Sequence, residues 1–66
     1  MDNVKFTLKE ARDRNDLTQK EAAKKLGISE RTLSQYENGV SFPTVKVLKR
    51  IEKLYGIEYN DLIFCT

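Results

Sequence analysis

Glu30, Arg31, Ser34 and Gln35 lie in the stretch SERTLSQYEN, which runs from Ser29 to Asn38. Wound into a helix, their offsets bring all four to one side, because residues three and four apart are neighbours on a helical surface. The residue types say what that side can do. A guanidinium, a carboxamide, a carboxylate and short hydroxyls supply the donor and acceptor pairs that match base edges. Arg31 suits guanine O6 and N7, Gln35 adenine N6 and N7, and Glu30 cytosine N4. A merely solvated face more usually carries Lys and Glu at i,i+4 spacing.

Other chemistries lack their residues. The chain has no histidine, one cysteine (Cys65), and no clustered carboxylates or glycine run. Zinc sites, catalytic triads and phosphate loops are therefore not expected, nor is a cofactor or enzymatic activity. Twelve basic against ten acidic residues give a net charge of +2, too weak a bias to indicate nucleic acid without a favourable distribution. A lone cysteine forms no internal disulfide, and we read Cys65 as an inert apolar residue. With no signal peptide and no apolar run near 18 residues, a cytoplasmic protein without membrane contact is the simplest expectation. Sixty-six residues read as one domain, 1–66. A domain this small buries only about 60% of its unfolded surface, which favours a stabilising partner such as a second copy.

The polar face needs a scaffold, and the preceding residues spell one. Thr18 with Glu21 is a capping box that starts a helix. Ala22, Ala23 and Leu26 share one side of that helix, and Gly27 is suited to a left-handed stop. Ser29 can cap the next helix, with Ile28 stapling against Leu33. So short a turn makes the helices cross steeply, with small Ala23 at the contact and Leu26, Leu33 and Tyr36 on the facing sides. This is helix-turn-helix geometry, with its core over 18–38.

Gln19, Ala23, Gly27, Leu33 and the ending Tyr36-Glu37-Asn38-Gly39 closely resemble the helix-turn-helix of the phage repressor and Cro family, the XRE-like regulators. The resemblance covers about Leu8 to Ile63. It implies an all-α fold, a compact five-helix bundle of the lambda-repressor type around the central helix-turn-helix. It also implies an ion pair between Arg12 and Glu37 that fixes how the reading helix sits on the first helix.

The remaining chain divides readily. Thr7 with Glu10 opens a helix over Leu8 to Arg14, with Phe6 at the edge of the core and Val4 the other apolar residue of the N-terminal segment. Pro43 and Thr44 mark a loop and a helix start. Val47, Leu48, Ile51, Leu54 and Tyr55 then form an apolar stripe beside a basic one of Lys46, Lys49, Arg50 and Lys53. After Gly56 a final short helix is expected, capped by Glu58 or Asn60. The apolar run from Leu62 to Cys65 exceeds what a short terminal turn needs, and is read either as monomer core or as a dimer surface.

In such a fold the second helix enters the major groove and the one before it crosses the backbone. Glu30, Arg31 and Gln35 are then the base-reading candidates, with Glu30 alternatively orienting Arg31. Gln19, at a helix N-terminus, is placed for a phosphate. By resemblance Asn38 also meets phosphate, Thr44 is a further candidate, and only the first turn of the basic helix, at Lys46, comes near DNA. Ser29 and Ser34 fit backbone contacts. One departure from the family is the loop Val40-Ser41-Phe42, where many relatives carry Lys or Arg; Lys46, Lys5 or Lys9 would have to compensate.

The expected function is sequence-specific binding of double-stranded DNA by a small transcriptional regulator. We read it as a bacterial or phage repressor acting as a homodimer, through the helix that follows Thr44 and the C-terminal segment, on a palindromic operator. The alternatives are an antitoxin, a restriction-control protein, or a helix-turn-helix module that meets a protein partner.

Overall fold

Hydroxyl side chains set where each helix begins. The computed structural model describes residues 5–64. The Thr7 hydroxyl accepts from the Glu10 amide at 3.1 Å while the Glu10 carboxylate accepts from the Thr7 amide at 2.9 Å, opening α1 (Leu8–Arg14). The same reciprocal pair at Thr18 and Glu21 opens α2 (Gln19–Leu26). Ser29 caps α3 (Glu30–Glu37) and Thr44 caps α4 (Val45–Tyr55). Each cap satisfies backbone donors that a helix start otherwise leaves open.

The stops are equally local. Gly27 and Gly56 end α2 and α4 with φ of 76° and 70°, a region side chains resist. Asn15 ends α1, and its side-chain amide donates to the carbonyls of Ala11 and Tyr55, tying the end of α1 to the end of α4.

The core forms where the apolar faces meet. Leu8 and Ala11 from α1, Ala22, Ala23 and Leu26 from α2, Leu33 and Tyr36 from α3, and Ile51 and Tyr55 from α4 are all buried. Phe6, Leu17, Ile28, Val47, Leu48, Leu54, Ile57 and Phe64 pack around them. Arg14 lays its guanidinium 4.3 Å over the Phe6 ring and covers that edge. Alanines at two successive positions, both buried, let α2 lie close against its neighbours.

The C-terminal segment departs from the expected fifth helix. After Gly56 there is one 3-10 turn, Tyr59–Asp61, and then a strand. Glu58, not Asn60, takes the cap position of the turn, and its carbonyl accepts from the Asp61 amide at 2.8 Å. Glu58 makes no side-chain cap bond, and the Tyr59 amide donates instead to the Glu52 carboxylate of α4 at 2.7 Å. Isolated short helices are marginal, and Ile57, Tyr59, Ile63 and Phe64 are residues that favour extended backbone. A waiting partner decides the matter. Strand β1 (Phe6–Thr7) pairs in parallel with β2 (Leu62–Ile63), Phe6 opposite Leu62 and Thr7 opposite Ile63. Leu62 thereby enters the core, while Ile63 stays exposed. Val4 and Cys65 lie outside the described residues.

Candidate nucleic-acid interface

Helix α3 is held from behind and open in front. Leu33 and Tyr36 anchor its inner face in the core. On the outer face Glu30 and Arg31 are exposed, and Ser34 and Gln35 are half-buried. The side chains of Glu30, Arg31 and Gln35 make no hydrogen bond or ion pair among the described residues. Their donors and acceptors are thus open to a ligand. Glu30 and Arg31 do not pair with each other, so the carboxylate does not orient the guanidinium in this structure.

The hydroxyls are more committed. Ser29 Oγ caps α3 by accepting from the Thr32 amide, and its proton is donated to Thr32 Oγ1 at 2.8 Å. Ser34 Oγ accepts from Asn38 Nδ2 at 3.3 Å, which links two of the expected backbone-contact residues at the end of α3.

Behind this face lies a charged joint between three helices. Arg12 of α1 donates from Nε to Glu37 Oε2 at 2.7 Å and from Nη2 to Oε1 at 3.2 Å. Its Nη1 donates to the Leu17 carbonyl at 2.9 Å. Arg12 is only 8% exposed, yet the fork has partners on both sides, as a buried charge requires. These contacts with Glu37 raise the Arg12 pKa above its ordinary value, against the cost of burial. Gln19 Nε2 also donates to Glu37 Oε1, at 3.0 Å. The first residue of α2 is therefore locked to the last residue of α3. Nothing in the spacing of Gln19 and Glu37 marked this third partner.

The Tyr55 hydroxyl is buried with no hydrogen-bond partner among the described residues. Burial, then the charge of Glu37, push it up to about 12.

The residues around the start of α4 and the other basic side chains sort differently from one another. Thr44 caps α4, its hydroxyl oxygen accepting from the Val47 amide at 3.3 Å, and Lys46 is exposed in the first turn of α4. Lys9 pairs with Asp13 at 3.0 Å on the surface of α1. Arg50, a member of the basic stripe, donates Nη1 to the Leu26 carbonyl at 3.2 Å and so closes the C-terminal end of α2. Two residues that sequence reasoning passed over thus stand out: Arg50 pins the turn of the helix-turn-helix, and Glu52 pins the C-terminal segment.

A capped helix, a glycine-stopped short turn and a second helix with an open polar face define a helix-turn-helix protein. A family model described as helix-turn-helix matches residues 8–62, and the chain belongs to that family, of the XRE type. It is 37% identical over 59 residues to an uncharacterised helix-turn-helix transcriptional regulator of Methanocaldococcus jannaschii, covering 89% of each chain. It is 41% identical over 56 residues to the transcriptional regulator ImmR of Bacillus subtilis, covering 85% of this chain and 44% of ImmR. The antitoxin PezA of Streptococcus pneumoniae matches at 38% over 56 residues, 85% of this chain and 35% of PezA. The chain thus spans under half the length of ImmR and PezA. Among the described residues no helix is long and apolar enough to cross a membrane.

Proposed function

We propose that this chain binds double-stranded DNA sequence-specifically as a small transcriptional regulator, a repressor that sets α3 in the major groove. The observation that carries this is the unengaged row of Glu30, Arg31 and Gln35 on a helix clamped from behind by Arg12, Glu37 and Gln19. Base readers need free edges and a fixed platform, and both are present. Membership of the helix-turn-helix family and the names of its regulator relatives support the same reading.

In this reading Arg31 grips guanine, Gln35 pairs with adenine, and Glu30 accepts from cytosine. Gln19 keeps one amide hydrogen for a phosphate while Glu37 holds the other. Ser34, Asn38, Thr44 and Lys46 lie along the neighbouring backbone, and Ser29 contributes chiefly by capping α3. Two copies joined through α4 and the C-terminal segment would read a palindrome with half-sites about one DNA turn apart. The exposed apolar residues Phe42, Val45, Tyr59 and Ile63 support that pairing, together with Phe64, whose ring lies 5.4 Å from Phe42 and 5.9 Å from Tyr59. Such a protein works in the cytoplasm, where its DNA is.

The likeness to an antitoxin favours one second reading, in which the same domain binds DNA and a protein partner covers the aromatic group. Titration of labelled duplexes from the chain's own upstream region tests the DNA binding that the two readings share. A repressor binds them alone, with a logarithmic salt slope that counts several phosphate contacts. Failure to bind duplex DNA at low salt would remove both DNA readings.

A further inference from the structure

Arg50 reaches the end of α2 with one nitrogen and leaves the rest of its fork open. Nη1 donates to the Leu26 carbonyl, and no other atom of the guanidinium has a partner among the described residues. Lys25 of α2 and Lys53 of α4 stand around it, with Leu54 as the apolar side, and together they line an open cleft of about 350 Å³. None of the three cations forms an ion pair among the described residues. The carboxylates nearest in the chain form no ion pair with them: Glu21 accepts from the Thr18 amide, although it still feels the charge of Lys25, and Glu52 accepts from the Tyr59 amide.

Three like charges outweigh the one carboxylate that Lys25 feels, Glu21 a turn before it on α2, and leave a concavity of net positive potential. The carbonyl end of α2 offsets only part of it, about half a charge. The volume falls at the lower end of small-ligand sites. An arginine fork sharing a cleft with two lysines suits a phosphoryl group, with the fork supplying geometry and the ammonium groups supplying charge. Leu54 offers a surface for carbon beside it.

We propose that this cleft between α2 and α4 binds a phosphoryl-bearing ligand, with its phosphoryl group held by Arg50, Lys25 and Lys53 and its organic part against Leu54. No residue of α3 lines the cleft, so it is separate from the proposed base-reading row. Its occupancy would be felt at the turn, because Arg50 Nη1 lies 3.1 Å from where a Cβ on Gly27 would stand. The phosphoryl group has two possible sources, a free phosphorylated small molecule or the DNA backbone.

The test is a titration of the full chain with pyrophosphate, and separately with AMP, followed by amide chemical shifts at constant ionic strength set with chloride. A Lys25→Gln/Lys53→Gln double variant, which leaves Arg50 and the turn in place, is run beside it. The proposal expects saturable shifts centred on residues 25, 50, 53 and 54, with affinity about tenfold weaker in the double variant, the equivalent of one charge-assisted contact. Shifts that fail to saturate, or the same affinity in the double variant, overturn it. Duplex binding by the double variant then assigns the source. Unchanged affinity and salt slope place the site with a free ligand, and a salt slope reduced by about 1 to 2 places it with the DNA backbone.

Discussion

Arg12 and Glu37, on α1 and at the end of α3, meet through two hydrogen bonds of 2.7 and 3.2 Å. The joint is nearly buried and carries Gln19 on its outer side. It makes the orientation of the proposed reading helix a property of α1 and α2 as well.

Removing one partner should therefore be costly. Arg12→Ala leaves the Glu37 carboxylate buried without its counter-charge, for an expected loss of about 3 to 5 kcal/mol in chemical denaturation. An Arg12→Met/Glu37→Leu pair should recover most of it. Recovery of folding without recovery of specific DNA binding would show that the joint serves orientation more than stability.

Gly27 and Gly56 have nearly the same left-handed backbone but different surroundings. An added Cβ at Gly56 meets nothing within 4 Å, whereas at Gly27 it meets Arg50 Nη1 at 3.1 Å. Gly56→Ala should cost only the conformational penalty, about 1 to 2 kcal/mol. Gly27→Ala should cost more, and the excess should vanish when Arg50→Ala is the background. Equal losses at the two glycines would mean that Arg50 moves away freely.

Much of this architecture was legible in the residues. Capping boxes at Thr7 and Thr18, caps at Ser29 and Thr44 and stops at Gly27 and Gly56 are local chemistry, decided within a few residues, and the four helices follow. The polar face of α3 was legible because Leu33 and Tyr36 define the opposite side. The C-terminal segment was not, since its form depends on a partner some fifty-five residues away: Phe6 and Thr7 offer Leu62 and Ile63 a strand to pair with. Arg50 and Glu52 were illegible for the same reason. Charged residues on an amphipathic helix read as solvated, and only the folded chain places a carbonyl or an amide at their tips.

Tyr55 carries a pH signature. Its buried hydroxyl lacks a partner and is pushed up to about 12. A phenol raised in the folded state stabilises fully below its ordinary value near 10 and loses that contribution as pH rises through about 12. The native protein should therefore lose stability over that window more steeply than Tyr55→Phe. At neutral pH the variant should be at least as stable, since relieving an unpaired buried hydroxyl is worth about 1 to 3 kcal/mol. A destabilised Tyr55→Phe in thermal melts would reveal a partner for the hydroxyl.

Phe42 is 69% exposed, and its ring meets that of Phe64 at a tilt of 58° with centroids 5.4 Å apart. If this surface joins two copies, Phe42→Ser should shift sedimentation from dimer toward monomer while the melting temperature of the monomer changes little. Binding to a palindromic duplex should fall much further than binding to a single half-site. A native protein that sediments as a monomer at high concentration would refute the pairing.

The central claim is that α3 reads bases through Arg31 while Gln19 meets the backbone. Selection of bound sequences from a random duplex library, run with the native protein, Arg31→Ala and Gln19→Ala, tests it directly. The account predicts a palindromic motif, relaxed at one position per half-site by about 1 to 3 kcal/mol in Arg31→Ala, and the same motif bound more weakly in Gln19→Ala. A motif unchanged by Arg31→Ala, or no enriched motif at all, would contradict it.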